Sequence, residues 1–472
     1  MLTVPRIVIG SVSSSSGKTT ISAGIMRALS DTGLKVQGAK VGPDFIDPTF
    51  HRLATSRPPR NLDPFLQSEE FISSLAREYT LGADILVVEG VMGLFDGTKL
   101  VRRGITEQQP LLPTRSGEFS STDHVARLLG AKVILIVDVE GMASSVAPLL
   151  EGFMKYSPSI AGVIFNKVGS SFHESILLEA VKHLEIKILG SLYRNSNFEL
   201  KSRHLGLIPA EENRSRSILS LNTVATSISK SIDLKMILDI AKSAKNTKTV
   251  KLPIPKLNPT ARIAVASGES FSFTYEDNLE VLCEAGAETI PFNPLTDEHL
   301  PPEIDGIYIG GGFPEVFAKR LSCNLKLKLE IQNYHRQNIP IWAECGGLLF
   351  LIKTLDGHEM CNIIEAEATM TSKLTLGYRI AEPLVSSPVS QKSELLYGHE
   401  FHYSQILPRG NHLKFTGSVK TSSDGFLSST LFASYLHLHI KTTPNVAENF
   451  IASCLREKTS RTSLVVKPSS RI

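Results

Sequence analysis

The stretch Arg6-Ile7-Val8-Ile9-Gly10-Ser11-Val12-Ser13-Ser14-Ser15-Ser16-Gly17-Lys18-Thr19-Thr20 constrains this chain more than any other. Ile7 to Ile9 is an apolar run that reads as a buried strand, and Ile21 to Leu29 carries apolar residues at helical spacing. A small-residue loop ending in Gly17-Lys18-Thr19-Thr20 joins them. Strand, loop and helix in that order form the context of a phosphate-binding loop. There, backbone N–H groups and the positive end of the helix dipole hold phosphate oxygens. Ser16, Gly17, Lys18, Thr19 and Thr20 are therefore nucleotide-binding candidates. Lys18 would reach the terminal phosphates and the Thr19 hydroxyl would ligate Mg²⁺. The loop departs from the usual pattern: Val12 stands where a glycine is usual, and four serines replace loop glycines. That narrows the positive-φ options but leaves the backbone donors in place. A serine-rich turn capping an ordinary helix is the plain alternative. The position of Gly-Lys-Thr-Thr at a strand-to-helix junction favours nucleotide binding.

Short apolar runs recur through the first half at Lys35–Val41, Ile85–Glu89, Val133–Asp138, Ile160–Asn166 and Ile186–Gly190, separated by helical patterns. Runs apolar throughout imply a parallel sheet covered on both faces, with functional residues at the carboxyl ends of its strands. At 472 residues the chain exceeds one ordinary core, and two domains of roughly 200 residues are expected. Residues 1–240 read as the phosphate-loop domain. The polar, basic, proline-broken segment 241–260 reads as a linker, and 261–456 as a second α/β domain. The Ser/Thr- and Lys/Arg-rich segment 457–472 reads as a disordered tail.

The net charge of +3 implies neither a nucleic-acid nor a membrane partner. The sequence shows no run of about 18 apolar residues and no signal-peptide pattern. Five scattered cysteines argue for a reducing compartment, and the cytoplasm is the expected location.

Two acidic loops follow strands of the first half. Lys40-Val41-Gly42-Pro43-Asp44-Phe45-Ile46-Asp47-Pro48 places Asp44 and Asp47 in a proline-bounded turn beside a lysine. Glu89-Gly90-Val91-Met92-Gly93-Leu94-Phe95-Asp96-Gly97 does the same with Glu89 and Asp96. Carboxylates at strand ends near a phosphate loop suit Mg²⁺ coordination and orientation of a phosphoryl acceptor. Ordinary turn chemistry is the competing reading for each acid taken singly. Asn166, at the end of a later strand, could read an adenine edge or act as a cap.

A second chemistry appears at Ile341-Trp342-Ala343-Glu344-Cys345-Gly346-Gly347-Leu348, again strand, turn and helix. A nucleophile on such an elbow is pushed out of the sheet, and a helix start is expected to lower the Cys345 thiol pKa. Cys283 and Cys361 read as core fillers. The turn Gly310-Gly311-Gly312-Phe313-Pro314-Glu315 can aim backbone N–H groups at an oxyanion, jointly with Gly346. Phe432 to His439 reads as one strand with histidines at its end, offering His437 as base. His399 and His402, in Gly398-His399-Glu400-Phe401-His402-Tyr403-Ser404, compete for that role.

Taken together, these motifs resemble the cobyrinate or hydrogenobyrinate a,c-diamide synthase family, over roughly Pro5 to Leu455. The resemblance implies a dethiobiotin-synthetase-like ATPase domain followed by a class I glutamine amidotransferase domain. It implies that Cys345 attacks glutamine with His437 as base, Gly311, Gly312 and Gly346 forming the oxyanion hole. ATP would phosphorylate a corrin side-chain carboxylate, and the released ammonia would displace phosphate, at the a and then the c position. Lys18 and Thr19 would serve phosphate and Mg²⁺, with Asp44, Asp47, Glu89 and Asp96 shaping the acceptor site, and Thr19, Asp44 and Glu89 nearest the metal. The implied partners are a corrinoid macrocycle, ATP and glutamine, with a homodimer as one assembly open to the chain. One departure is visible. Amidotransferases of this class carry His-x-Glu, whereas His439 takes the acid slot here, leaving a Cys345–His437 dyad.

Three rival functions share parts of the pattern. Cobyric acid synthase has the same two modules, and nickel-sirohydrochlorin a,c-diamide synthase nearly the same chemistry. A partitioning ATPase would need a second lysine where Ser13 stands, and has no cysteine domain. The segment Thr98 to Glu118 joins two motifs as a long loop of no evident role.

Overall fold

A computed structural model describes residues 1–102, 118–195, 202–203, 206–207, 213–256, 260–417 and 421–465. The chain divides into two compact units, Met1–Leu252 and Pro253–Ile472.

In the first unit, seven strands form one sheet: β1 (Arg6–Ser11), β2 (Val36–Val41), β3 (Asn61–Leu62), β4 (Ile85–Glu89), β5 (Lys132–Asp138), β6 (Ile160–Val168) and β7 (Lys187–Tyr193). Their order is β3-β2-β4-β1-β5-β6-β7, and every neighbouring pair is parallel. Helices cover both faces, so every residue of β1, β2 and β4 is buried. That double cover is why these strands read as apolar runs and not as alternating patterns. The chain reverses its lateral direction around β1, so the loops after β1, β2 and β4 open into one crevice at the carboxyl edge. Helix α1 (Lys18–Asp31) starts in that crevice. Its Gly24 lets the helix Arg214–Ser231 approach closely, since a Cβ there would lie within 2.6 Å of Val224 and Ile228 side-chain atoms.

The second unit has a parallel sheet in the order Ala287–Phe292, Ala261–Ala266, Gly306–Ile309, Ile341–Glu344 and Leu431–Ser434, edged by the antiparallel Phe426–Ser428. Trp342 is fully buried there, stacked on Tyr308 at 4.4 Å between ring centroids. A second sheet is built around the antiparallel pair Ile364–Pro383 and Leu396–Leu407.

Three sequence-based expectations need correction. Phe432 to His439 is not one strand: the parallel strand stops at Ser434, and His437–Leu438 pairs with Gly398 and His399 of the other sheet. The expected linker is, in its first half, part of the first unit. Thr247 pairs with Leu2, Ser73 Oγ donates to Thr247 Oγ1 at 2.9 Å, and Ser74 Oγ donates to Val250 O at 2.9 Å. The expected disordered tail is helical as far as Val465, and Lys458 Nζ reaches Asp305 Oδ2 at 3.0 Å. Both segments are tied down by hydroxyl or lysine hydrogen bonds to partners far away in the chain, which composition alone does not reveal. Residues 466–472, and 103–117 of the loop after Thr98, lie outside the described residues. Among the described residues no helix is long and apolar enough to cross a membrane.

Leu135, fully buried in β5, lies at the centre of the first unit's core. Leu135→Ala should cost about 2–5 kcal/mol of stability, read as a lower urea midpoint at unchanged slope.

Candidate active sites

The first site lies at the carboxyl ends of β1, β2 and β4. Gly17 takes φ +86° at the start of α1, a conformation glycine adopts without strain. Lys18 Nζ donates to Ser11 Oγ at 2.8 Å, Ser13 O at 3.3 Å and Met92 O at 2.5 Å. Burial, aided by the charge of Lys40, lowers its pKa to about 8. Ser16 Oγ donates to Ser13 O, and Thr20 sits half-buried in the first helical turn.

Glu89 is completely buried, and its carboxylate is the centre of the site. Oε1 accepts from Thr19 Oγ1 at 2.7 Å and from Lys40 Nζ at 2.8 Å, while Oε2 accepts from His51 Nε2 at 2.7 Å. Burial alone would raise its pKa, but Lys40 and His51 outweigh burial and hold it well below the carboxylate range. Lys40 also pairs with Asp47 Oδ2 at 2.7 Å, and the two acids keep its ammonium charged against burial. Asp44 Oδ1 accepts from the N–H groups of Ile46 and Asp47, and Asp96 Oδ2 from Gly93 N–H. Both acids thus shape their turns, and both also act electrostatically on this cluster: Asp44 on Lys40, Asp96 on Lys18. Asn166 Nδ2 donates to Ser16 O at 2.9 Å and so braces the phosphate loop. His51 went unread in the sequence, because a lone histidine on a helix carries no signal until β2 and β4 bring Glu89 to it.

The Thr19–Glu89 pair fits Mg²⁺. Two cis oxygens of an octahedral ion at about 2.1 Å stand roughly 3.0 Å apart, so the 2.7 Å pair need open by only a few tenths of an ångström once the hydroxyl hydrogen turns away. Among the described residues no group of three or more His, Cys, Asp or Glu side chains has metal-binding geometry. Phosphate oxygens and water would complete the shell, as is usual for this ion.

The second site is the elbow after Ile341–Glu344. Cys345 takes φ +47° and ψ −98°, sparsely populated for any side chain with a Cβ. Gly346 and Gly347 let the elbow press against the Gly310–Gly312 turn. A Cβ on Gly346 would stand 2.8 Å from Gly312 N, and one on Gly347 2.2 Å from Ile309 O. His437 rests against the same turn, where a Cβ on Gly311 would lie 2.3 Å from its Cε1. The turn therefore brings Cys345, Gly346, Gly312 and His437 into one place.

Two expectations about this site change. Gly311 is not an oxyanion donor: its N–H is bonded to Phe273 O at 3.0 Å. Its contribution is the space its missing side chain leaves for the imidazole. The Cys345 thiol pKa is raised, not lowered, because burial at 5 % exposure and the charge of Glu315 outweigh the Gly346 N–H. Burial also pushes His437 down to about 3, so the resting pair is uncharged. The rival histidines are used elsewhere: His399 Nε2 bonds Tyr275 OH at 2.9 Å, and His402 Nδ1 meets Ser404 O at 3.0 Å. His439 Nε2 pairs with Asp277 Oδ2 at 3.0 Å.

Beside the elbow, Cys345 Sγ stands 4.0 Å from Phe401 O, on the strand that also carries Glu400 and His402. Those two line a cavity of about 560 Å³ together with Arg379, Asp424 and Tyr435. Arg379 Nε is hydrogen-bonded to Glu400, so both signs of charge sit on one wall.

A nucleotide-type crevice in one unit and a buried Cys–His elbow in the other define a nucleotide-binding domain joined to an amidotransferase. The comparisons agree. Residues 7–208 match the CobQ/CobB/MinD/ParA nucleotide binding domain, and residues 262–445 the CobB/CobQ-like glutamine amidotransferase domain. Hydrogenobyrinate a,c-diamide synthase of Streptomyces coelicolor is 38% identical over 96% of this chain and 98% of its own. Cobyrinate a,c-diamide synthase of Synechocystis is 38% identical over 95% and 93%, and that of Picrophilus torridus 39% over 96% and 99%. The chain belongs to the cobyrinate and hydrogenobyrinate a,c-diamide synthase family.

Burial sets opposite pH dependences at the elbow. His437 titrates near 6.5 when unfolded and near 3 when folded, so the unfolded state binds more protons and stability falls as pH drops below about 6.5. Glu344 is pushed up to about 8 by burial, so its folded form holds a proton that the unfolded form releases, and stability falls as pH rises from about 4.5 to 8. Melting temperatures against pH should show the acid-side loss reduced in His437→Gln and the alkaline-side loss reduced in Glu344→Gln.

Proposed function

We propose that the chain converts the a and c side-chain carboxylates of cobyrinate or hydrogenobyrinate to amides, consuming ATP and glutamine, as a carbon–nitrogen ligase of cobalamin biosynthesis. The observation that carries this reading is the coexistence of two sites with separate chemistries on one chain of this family: the buried Thr19–Glu89–Lys40 cluster beside the phosphate loop, and the Cys345–His437 elbow.

At the elbow, Cys345 Sγ attacks the side-chain amide carbon of glutamine while its proton passes to His437. The carbonyl electrons move onto oxygen, facing the N–H groups of Gly312 and Gly346. Collapse of the oxyanion expels ammonia, which takes the proton back from the imidazole, and water hydrolyses the thioester. The 560 Å³ cavity suits a zwitterion: Arg379 offers a fork for its carboxylate and Glu400 or Asp424 an acceptor for its ammonium.

In the first unit, N–H groups of the phosphate loop and Lys18 hold the nucleotide phosphates. Thr19 and Glu89 would hold Mg²⁺, which when bound offsets phosphate charge; Asp44 stands by the same cluster. Lys40 and His51 keep Glu89 ionised and correctly turned for that task. A carboxylate of the macrocycle attacks the terminal phosphorus in line, adenosine diphosphate departs, and ammonia displaces phosphate from the acyl phosphate. We place the reaction in the cytoplasm, in keeping with five free thiols among the described residues.

The test is mass spectrometry of each macrocycle incubated with protein, ATP, Mg²⁺ and a nitrogen source. Wild type should form the diamide with either glutamine or ammonium. Cys345→Ser should lose glutamine-driven amidation by more than about 10³-fold and keep the ammonium-driven reaction. Equal loss with both sources would refute the division between sites.

A further inference from the structure

A base that takes a proton in a buried site needs a group to steady the charge it acquires. The residue two places after His437, where related amidotransferases keep an acid, is His439, and it is engaged with Asp277 at 3.0 Å. That pair, with Asn278 Nδ2 on Leu438 O and Asn278 Oδ1 on Ile440 N–H, ties the segment to the helix Glu276–Glu284. The slot thus anchors the strand, and the steadying acid must come from elsewhere.

We propose that Glu344, the residue preceding the nucleophile, is the positioning carboxylate for His437. Its Oε2 stands 3.9 Å from His437 Nδ1. Its Oε1 is fixed by two donors, Trp342 Nε1 at 3.0 Å and the N–H of Leu438 at 3.3 Å, the latter belonging to the residue right after the histidine. Tyr308 OH donates to Oε2 at 3.4 Å from the neighbouring strand. Every one of these donors is neutral. The carboxyl group is therefore locked in orientation, and its unspent electrostatic effect falls on the imidazole. The ring is confined as well: its Cε1 edge lies against Gly311, and it stacks on His399 at 4.9 Å with planes 12° apart. In the ionised form of Glu344, which predominates above about pH 8, the thiol proton reaching the ring leaves Nδ1–H positively charged facing a carboxylate, and the gap closes to a charge-assisted hydrogen bond. The proton returns to the leaving ammonia, so Glu344 is unchanged over the cycle. Cys345 and its supporting acid are thereby consecutive residues, turned to different faces by the strained elbow.

This inference rests on the glutaminase reading of the elbow, and the experiment separates the two. Glu344→Gln keeps the shape, the acceptor for Trp342 and Leu438, and a polar group at Tyr308, but cannot carry charge. In the full-length protein we expect glutamine-driven kcat to fall at least ~100-fold with KM for glutamine within about twofold. The ammonium-driven rate and the melting temperature should not fall. Alkylation of Cys345 by chloroacetamide, which needs no turnover, should slow along with kcat, and Glu344→Asp should restore part of both. Wild-type kcat and wild-type alkylation in Glu344→Gln overturn the proposal. So does a loss shared with the ammonium-driven rate or accompanied by a lower melting temperature, which marks a packing role. Alkylation that depends on Glu344 in a wild-type chain releasing no ammonia would instead overturn the glutaminase reading and leave Glu344 in its role.

Discussion

A carboxyl group sealed at the end of a buried parallel strand must either find a cation or keep its proton. This chain does one of each. Glu89 ends β4 and Glu344 ends Ile341–Glu344, both with at most 1 % of their surface exposed. Around Glu89 the strand order brings Lys40 from β2 and His51 from α2 (Asp47–Thr55), so the acid stays ionised. Around Glu344 the donors are an indole, a phenol and a peptide N–H, and the acid is pushed up to about 8. Ionised oxygens beside a phosphate loop can accept a hard cation. A carboxyl poised near neutrality beside an imidazole can answer a charge that comes and goes.

Both sites also use the same local device, a sharp backbone turn between strand and helix, for opposite ends. At Gly17 the left-handed residue has no side chain, so the turn offers N–H groups to an anion. At Cys345 the left-handed residue carries the nucleophile, and the strain is borne by close glycine packing against the Gly310–Gly312 turn. The glycines there are needed for contact distance more than for conformational freedom. Gly311 and Gly347 each face an atom that a Cβ would overlap, and neither takes a positive φ.

What could be read in advance follows from what sequence encodes locally. Six of the seven strands of the first sheet were visible because burial leaves continuous apolar runs, the two-residue Asn61–Leu62 being too short to carry a pattern, and the two elbows because strand, small residues and helix are contiguous. His51 was invisible, since only the β2–β4 pairing brings it to Glu89. Gly311 and Gly312 could not be told apart, because which N–H is free depends on Phe273, reached through a distant loop. The supposed linker and tail were misread for a related reason. Ser73, Ser74 and Asp305 supply partners to Thr247, Val250 and Lys458, and no local composition announces a partner so far away in the chain. The acid at 344 was legible as a residue and not as a role, since the pattern directs attention after the histidine and not before the cysteine.

The electrostatics of the elbow bear on why its reactive groups are buried at all. An exposed cysteine at a helix start would be partly ionised and open to oxidants. Here burial raises the Cys345 thiol and lowers His437, so charge separation between them is uphill at rest. On the proposed mechanism it becomes favourable only when an oxyanion develops opposite Gly312 and Gly346 and the imidazolium faces Glu344. The cost of burying the pair is thus recovered in the transition state and not in the ground state, where stabilisation would slow the reaction. On the proposed mechanism, a thiol kept neutral until an amide carbon arrives would release ammonia only when a glutamine fills the cavity lined by Arg379 and Glu400. Desolvation, and not the helix start from which a lowered thiol pKa was expected, is the dominant force on this cysteine.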